Sequence, residues 1–399
     1  MIFNTWVFAL FGCVVLTVYW TLVPPRAKPL FLICAGIVFY AYSVPAYLLL
    51  ILLLGVVTFG IGRAMLRPGR SEGERKRYLA AGVMLIVGVL VYFKYTKFFA
   101  LTVDQVARHH IVPIPAIVVP LAISFFTFEF VHVLVDVYNR KIHELRALDF
   151  AVFTMFFPTL VAGPIKRYQS FAPQVASLGT TFDDKVLLHG YRVAVGIAKK
   201  YIVADSMSLL TQPVLTPGMP YGTFDYWVGM LAYAAKIYFD FSGYSDIAIG
   251  LAGLLGVRIP ENFERPYWAQ NISQFWRRWH MSLSSWIRDY VFIPLGGSKR
   301  GRLATSLNLF LAMAIAGLWH GAARTFVLWG LWHGVGLAVH RLWSAGVVPR
   351  VAALRAETFA VHAASVAVTF LFVCFGWVLF ATSTAANAAH VYWYLFGGR

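Results

Sequence analysis

The stretch GLWHGAARTFVLWGLWHG, residues 317–334, places GLWHG at 317–321 and again at 330–334, with Arg324 as its one charge. Reading outward, residues 303–319 and 325–342 are apolar enough to form two long helices. Gly321 offers a C-terminal cap to the first, and Thr325 begins the second. Residues 303–319 give about 25 Å of helix at the usual rise per residue. The basic segment SKRGR (298–302) precedes them, and Arg341 closes the return. The pattern predicts two membrane spans of opposite direction, with His320 in the break between them and His333 in the middle of the second.

Composition extends this reading to the whole chain. The 399 residues are 59% hydrophobic, 17% aromatic and 13% charged, with mean hydropathy +0.68. A soluble domain is nearer 45–50% apolar and roughly a quarter charged. The expected fold class is therefore an all-α polytopic integral membrane protein, surrounded by membrane lipid, with no soluble domain and residues 1–399 forming a single transmembrane domain. Within it, 1–148 read as an N-terminal helix bundle, 149–345 as the core and 346–399 as C-terminal helices. The net charge of +17 sits in short segments between apolar runs, the pattern of cytoplasmic loops, which excludes nucleic acid as a partner. Cys13, Cys34 and Cys374 fall in apolar stretches and read as three buried small hydrophobes. The first apolar run has no basic residues before it and reads as a retained span, not a cleaved signal.

Expected spans lie at 2–23, 29–43, 45–62, 78–99, 112–137, 223–254, 303–319, 325–342 and 358–382. Pro113, Pro115 and Pro120 fall near the start of the fifth. Lys and Arg concentrate at 24–28, 63–77 and 138–148, which places those loops in the cytoplasm and the N-terminus outside. Between the spans, 150–168 is interrupted by Pro158, Gly163 and Pro164 and is expected to dip in without crossing, as broken backbone needs a protein wall at that depth. Residues 186–210 mix Arg192, Lys199 and Lys200 with apolar residues, as a helix near the interface would.

Polar residues in this apolar background are the candidate site. Asp240 and Asp246 are six residues apart on one helix, about 120° apart in direction, which argues for ion-pair or hydrogen-bond roles over a paired acid and base. Residues 274–290 predict one amphipathic helix, with Arg277, His280, Ser284 and Arg288 as a polar stripe opposite an aromatic face. On that reading the two arginines keep the His280 imidazole neutral. His280 then either anchors a Trp-rich helix at the interface or takes part in chemistry. His320, beside Trp319 and the small residues Gly321, Ala322 and Ala323, is either a satisfied polar residue or a general base. His333, between Gly330 and Gly334, reads as packing. About 140° would separate the two histidines on one continuous helix, so they do not form a metal pair, and no zinc-ligand spacing is present.

FWRRWHMSLSSWIRDYVFIPLGG (275–297) and GLWHGAARTFVLWGLWHG (317–334) resemble the two signature stretches of the membrane-bound O-acyltransferase superfamily. YFDFSGYSDIAIG (238–250), PENFERPYWAQNISQFWRRWH (260–280), PLAISFFTFEFVHVLVDVY (120–138) and FFPTLVAGPIKRY (156–168) fit as well, in order along the chain. The likeness is greatest to the bacterial polysaccharide O-acetyltransferase branch, of which alginate acetylation is typical. It implies a ring of about 10–12 transmembrane and re-entrant helices around a central tunnel. It also implies His320 as the catalytic histidine, with His280 at the polar position of the first stretch. Members of that branch usually continue past the position of residue 399, and the branch often has Gln where this chain has Glu129.

The expected function is transfer of an acyl group, acetyl, from a cytoplasmic thioester to a hydroxyl on the external side of the inner membrane. His320 would act as base, and His280 would orient the thioester or stabilise its oxyanion. Arg277 and Arg278 would hold donor phosphates, with Trp279, Trp319, Ser284, Asp240 and Asp246 completing the substrate site. No bound cofactor or metal is expected. The donor is acyl-CoA or an acyl carrier protein. The acceptor is a polysaccharide or an extracytoplasmic acetyltransferase of the serine-dependent SGNH type, as the resemblance implies. D-alanyl transfer to teichoic acid and a non-enzymatic acyl or lipid conduit are the alternatives.

Overall fold

The computed structural model describes residues 5–109, 117–178, 185–216, 221–351 and 358–398. Among these there are helices and loops and no strand. The beginning of the first expected span, and Pro113 and Pro115 of the fifth, lie outside the described residues. The chain divides into two compact units, Met1–Ile197 with Tyr244–Pro260, and Ala198–Gly243 with Glu261–Arg399.

The first unit opens with α1 (Trp6–Thr21), α2 (Lys28–Ser43) and α3 (Pro45–Leu66). Pro45 starts α3 at the one helical position where its missing N–H costs nothing. Cys13 and Cys34 are exposed on the apolar surfaces of α1 and α2 and only Cys374 is buried, so the expectation of three buried thiols fails for two. α4 (Glu72–Ala107) is far longer than the expected 78–99 span, and Arg75, Lys76 and Arg77 belong to its first turns, not to a loop. A reciprocal capping box between Ser71 and Glu74 starts the helix there.

α5 (Ile123–Tyr138) carries Glu129, His132 and Asp136 along one face. α6 (Ala147–Met155) then gives way to a short 3-10 turn, Phe157–Thr159, and irregular chain before α7 (Tyr168–Val175). This is the expected break at 150–168, and it is almost wholly buried. The polar face of α5 fastens it. Lys166 pairs with Glu129, the Tyr168 N–H donates to His132 Nε2 at 3.1 Å, and Gln169 donates to Asp136 at 2.9 Å. Backbone that has left the helical ladder thereby finds protein partners.

α8 (Val186–Ala198) runs through a π-helical stretch, Lys199–Ala204, into α9 (Asp205–Leu209). After the short α10 (Gln212–Leu215) comes α11 (Thr223–Leu254), whose residues from Tyr244 onward belong to the first unit. In that unit Arg192 binds Asp246 at 3.0 Å. In the second unit Lys200 binds Asp240 at 2.9 Å and Asp205 at 2.7 Å.

The rest of the second unit is α12 (Ile272–Arg278), α13 (Met281–Ile287), α14 (Gly301–His320), α15 (Arg324–Gly346), α16 (Phe359–Ala381) and α17 (Ala385–Leu395). The echoed GLWHG explains how α14 and α15 pack. A Cβ on Gly317 would lie 2.2 Å from the Phe326 carbonyl oxygen, and one on Gly330 would lie 2.3 Å from that of Met313. The helices therefore touch backbone to backbone, as small residues permit between membrane helices. By length and composition α3, α4, α14 and α16 are able to cross a membrane, and α1 is a shorter apolar helix.

Candidate active site

The expected helix over 274–290 is two short helices and a π-helical turn. α12 stops at Arg278, Trp279 is extended, and His280 takes left-handed backbone with φ 42° before α13 begins. A non-glycine residue in that region costs about 1–3 kcal/mol and persists only where its surroundings hold it. Here the holder is Asn262. Its backbone oxygen accepts from the Met281 N–H at 2.9 Å. Its side-chain oxygen accepts from the Ser282 N–H at 3.3 Å and the Ser282 hydroxyl at 2.6 Å. The Glu264 N–H donates to the Arg278 oxygen at 3.0 Å, and the Ser284 hydroxyl to the Trp279 oxygen at 3.0 Å. Ser284 is thus a clasp on the break.

The break removes the polar stripe. Arg277 is exposed and donates to Ser273 at 2.9 Å, Arg288 pairs with Asp289 at 2.8 Å, and Arg278 reaches the Trp268 carbonyl. His280 is turned inward and is 2% exposed. It lies in a turn outside the long helices, and burial first, then the nearby His320, hold its imidazole well below the usual histidine range. The expectation of a neutral imidazole holds; the arginines are not its cause.

His320 is the last residue of α14, followed by Gly321 in extended backbone. Its ring contacts Trp319 at 4.6 Å, Trp329 at 5.0 Å and Phe380 at 5.0 Å, and it remains partly accessible. Trp319 also contacts His280, at 6.1 Å. The two histidines therefore share one tryptophan, His280 enclosed and His320 reachable. His333 is fully buried among Trp276, Trp329 and Phe372, and neither ring nitrogen has a hydrogen-bond partner among the described residues. That is the packing role read from its flanking glycines.

Of the other expected site residues, Trp279 is buried in an aromatic cluster with Tyr238, Phe263, Tyr267 and Trp377. Asp240 and Asp246 are taken up in the ion pairs with Lys200 and Arg192, and Asp246 belongs to the first unit. A cleft of about 520 Å³ opens beside α12 and the α14–α15 pair, lined by Ser273, Ser298, Arg302, His340, Arg341 and Ser344. Through its bond to Ser273, Arg277 stands at the edge of this cleft. Arg302 lies at the start of α14 and His320 at its end, about 27 Å along the axis. Asn262 is the residue that the sequence reading missed. Its only signal was a polar side chain in PENF, and its contacts arise 18 to 20 residues further along. Among the described residues no group of three or more His, Cys, Asp or Glu is placed to hold a metal ion.

A reachable histidine at a helix end with a second imidazole across an indole suits removal of a proton from a hydroxyl inside apolar surroundings. The apolar helices mark a membrane protein, and this site is of a kind that suits a transferase. The model of the membrane-bound O-acyltransferase family matches residues 87–383, and the chain belongs to that family. It is 38% identical over 397 residues to the probable alginate O-acetylase AlgI of Pseudomonas aeruginosa, covering 98% of this chain and 74% of that one. Similarity to the peptidoglycan O-acetyltransferase of Helicobacter pylori is 31% over 401 residues, covering 92% and 73%. The teichoic acid D-alanyltransferase of Bacillus subtilis is 31% identical over 276 residues, covering 65% and 68%.

Proposed function

We propose that this O-acyltransferase moves an acetyl group from a cytoplasmic thioester to a hydroxyl on the external side of the inner membrane, for O-acetylation of a polysaccharide. The observation that carries the reading is the position of His320, at the open end of α14 and one tryptophan away from His280. His320 takes the proton of the acceptor hydroxyl as its oxygen attacks the thioester carbonyl, a contribution on the order of 10²–10⁴-fold. The acyl–sulfur bond then breaks, and the leaving sulfur takes up the proton held by the His320 imidazolium and departs as the thiol. His280 lies beside the thioester and orients it.

Arg277, Arg302 and Arg341 support a donor that carries phosphate, acyl-CoA or the phosphopantetheine of a carrier protein, at the cleft they border. Arg278, bonded toward Trp268, is set apart from that role. The basic segments at 24–28, 63–77 and 138–148 support a multi-pass topology with these segments cytoplasmic and the N-terminus outside. Relatives named for alginate and peptidoglycan acetylation support a polymer acceptor, reached directly or through an extracytoplasmic SGNH-type acetyltransferase.

The test uses purified protein in nanodiscs with radiolabelled acetyl-CoA, following thiol release and label transfer. Wild type is expected to release thiol and His320→Ala to lose at least 100-fold of that rate. An alanine variant as fast as wild type would overturn the assignment. D-alanyl transfer, favoured by the more partial match to the Bacillus relative, predicts thiol release only from a D-alanyl carrier protein. A conduit predicts release from neither donor.

A further inference from the structure

We propose that Asn262 is a positioning residue that fixes His280 in the tautomer protonated on Nδ1, so that Nε2 meets the reactants as a bare lone pair. This rests on the reading of His280 as part of the acyl-transfer site.

The assignment follows from one backbone group. The Ser282 N–H is able only to donate, so the Asn262 side-chain atom 3.3 Å from it is the carbonyl oxygen and not the amide nitrogen. The same oxygen accepts the Ser282 hydroxyl at 2.6 Å and faces His280 Nδ1 at 3.2 Å. An oxygen that offers only lone pairs bonds Nδ1 when Nδ1 carries the proton. In a neutral imidazole the other nitrogen is then an acceptor. His280 Nε2 is buried and without a hydrogen-bond partner among the described residues. Asn262 is itself fully buried and tied to Met281 and Ser282, so its amide has no freedom to turn over.

The groups around the ring favour the neutral form. Phe241 of α11 stands edge-on at 4.6 Å, and Trp319 of α14 lies at 6.1 Å. With Asn262 and Ser282, these neighbours are uncharged, and His320 is the titratable group whose charge acts on His280. A carboxylate at position 262 would favour imidazolium; an amide gives the same geometry without that charge. His280 therefore accepts a hydrogen bond from an N–H or O–H of a bound reactant. It is not a donor to the carbonyl oxygen of the thioester, which removes the oxyanion role from the two first assigned to it.

Two measurements test this, one independent of turnover. In ¹⁵N-histidine-labelled protein in nanodiscs, with the His280 signals identified by their loss in His280→Gln, we expect a protonated Nδ1 and an unprotonated Nε2. The opposite tautomer, or imidazolium at neutral pH, overturns the proposal. In the second, Asn262→Asp keeps the oxygen that Ser282 needs and adds a charge. On this reading, protonation of His280 costs activity as pH falls through its depressed value. The aspartate raises that value, so the acid limb of kcat/KM should move to higher pH, on the order of one pH unit. An unchanged limb with wild-type kcat/KM would reduce Asn262 to a structural prop and overturn the proposal. If wild type and His320→Ala are equally inert toward acetyl-CoA, the acetyl-transfer reading fails while the nitrogen signals still decide the role of Asn262.

Discussion

Glu129 is paired with Lys166 in the interior of the first unit. The ammonium is 1% exposed, lies 4.5 Å over the Phe153 ring, and has the Glu129 carboxylate as its counter-charge. Removing one partner from a buried pair leaves an uncompensated charge, whereas replacing both with apolar residues is often neutral. Glu129→Gln is expected to destabilise the first unit by about 3–5 kcal/mol, read as a lower thermal midpoint in detergent. The double change Glu129→Leu with Lys166→Met should recover most of the loss; equal loss in both variants would show that the charge pair is not what matters there.

At the scale of elements, the contrast between α14 and the 274–290 region shows what kind of information a sequence carries. The turn between α14 and α15 was readable because local residues set it, Gly321 after the last apolar position and Thr325 expected to open the second helix, one residue after its actual start at Arg324. The break at His280 was not, because a histidine in left-handed backbone is decided by Asn262, 18 residues earlier in sequence. Periodicity assumes that a helix continues, and tertiary bonds overrode it. For the same reason the arginines of the stripe assigned to hold His280 dispersed, Arg277 to Ser273 and Arg288 to Asp289. The α14–α15 contact yields its own prediction. Gly330→Leu drives a side chain into the Met313 carbonyl and should splay the hairpin, seen as loss of monodisperse protein on gel filtration. Gly346→Leu, at the open C-terminal end of α15, should be tolerated. Equal behaviour of the two would mean that the close approach is not required.

For the whole molecule, the alternation of basic segments predicts a testable topology. Single cysteines placed at Gly69 and at Lys141, in a background with Cys13, Cys34 and Cys374 replaced, should react with a membrane-impermeant thiol reagent only after the inner membrane is opened. A cysteine at Thr5 should react in intact spheroplasts. Labelling of all three from one side would reverse or dissolve the assigned orientation. Composition made the membrane class legible from the start, since it depends on totals and not on contacts. The division of α11 between two compact units was not, because nothing in its apolar run marks Gly243 and Tyr244 as a border.

The backbone contact between α14 and α15 has one more consequence. Helices that meet through long side chains are able to slide by re-choosing rotamers, but a carbonyl lodged against an α-carbon has no slack to give up. The hairpin therefore behaves as a fixed ruler of about 30 Å, with the arginine-lined cleft at one tip and His320 at the other. Whatever occupies both tips at once is selected by its reach before it is selected by its shape.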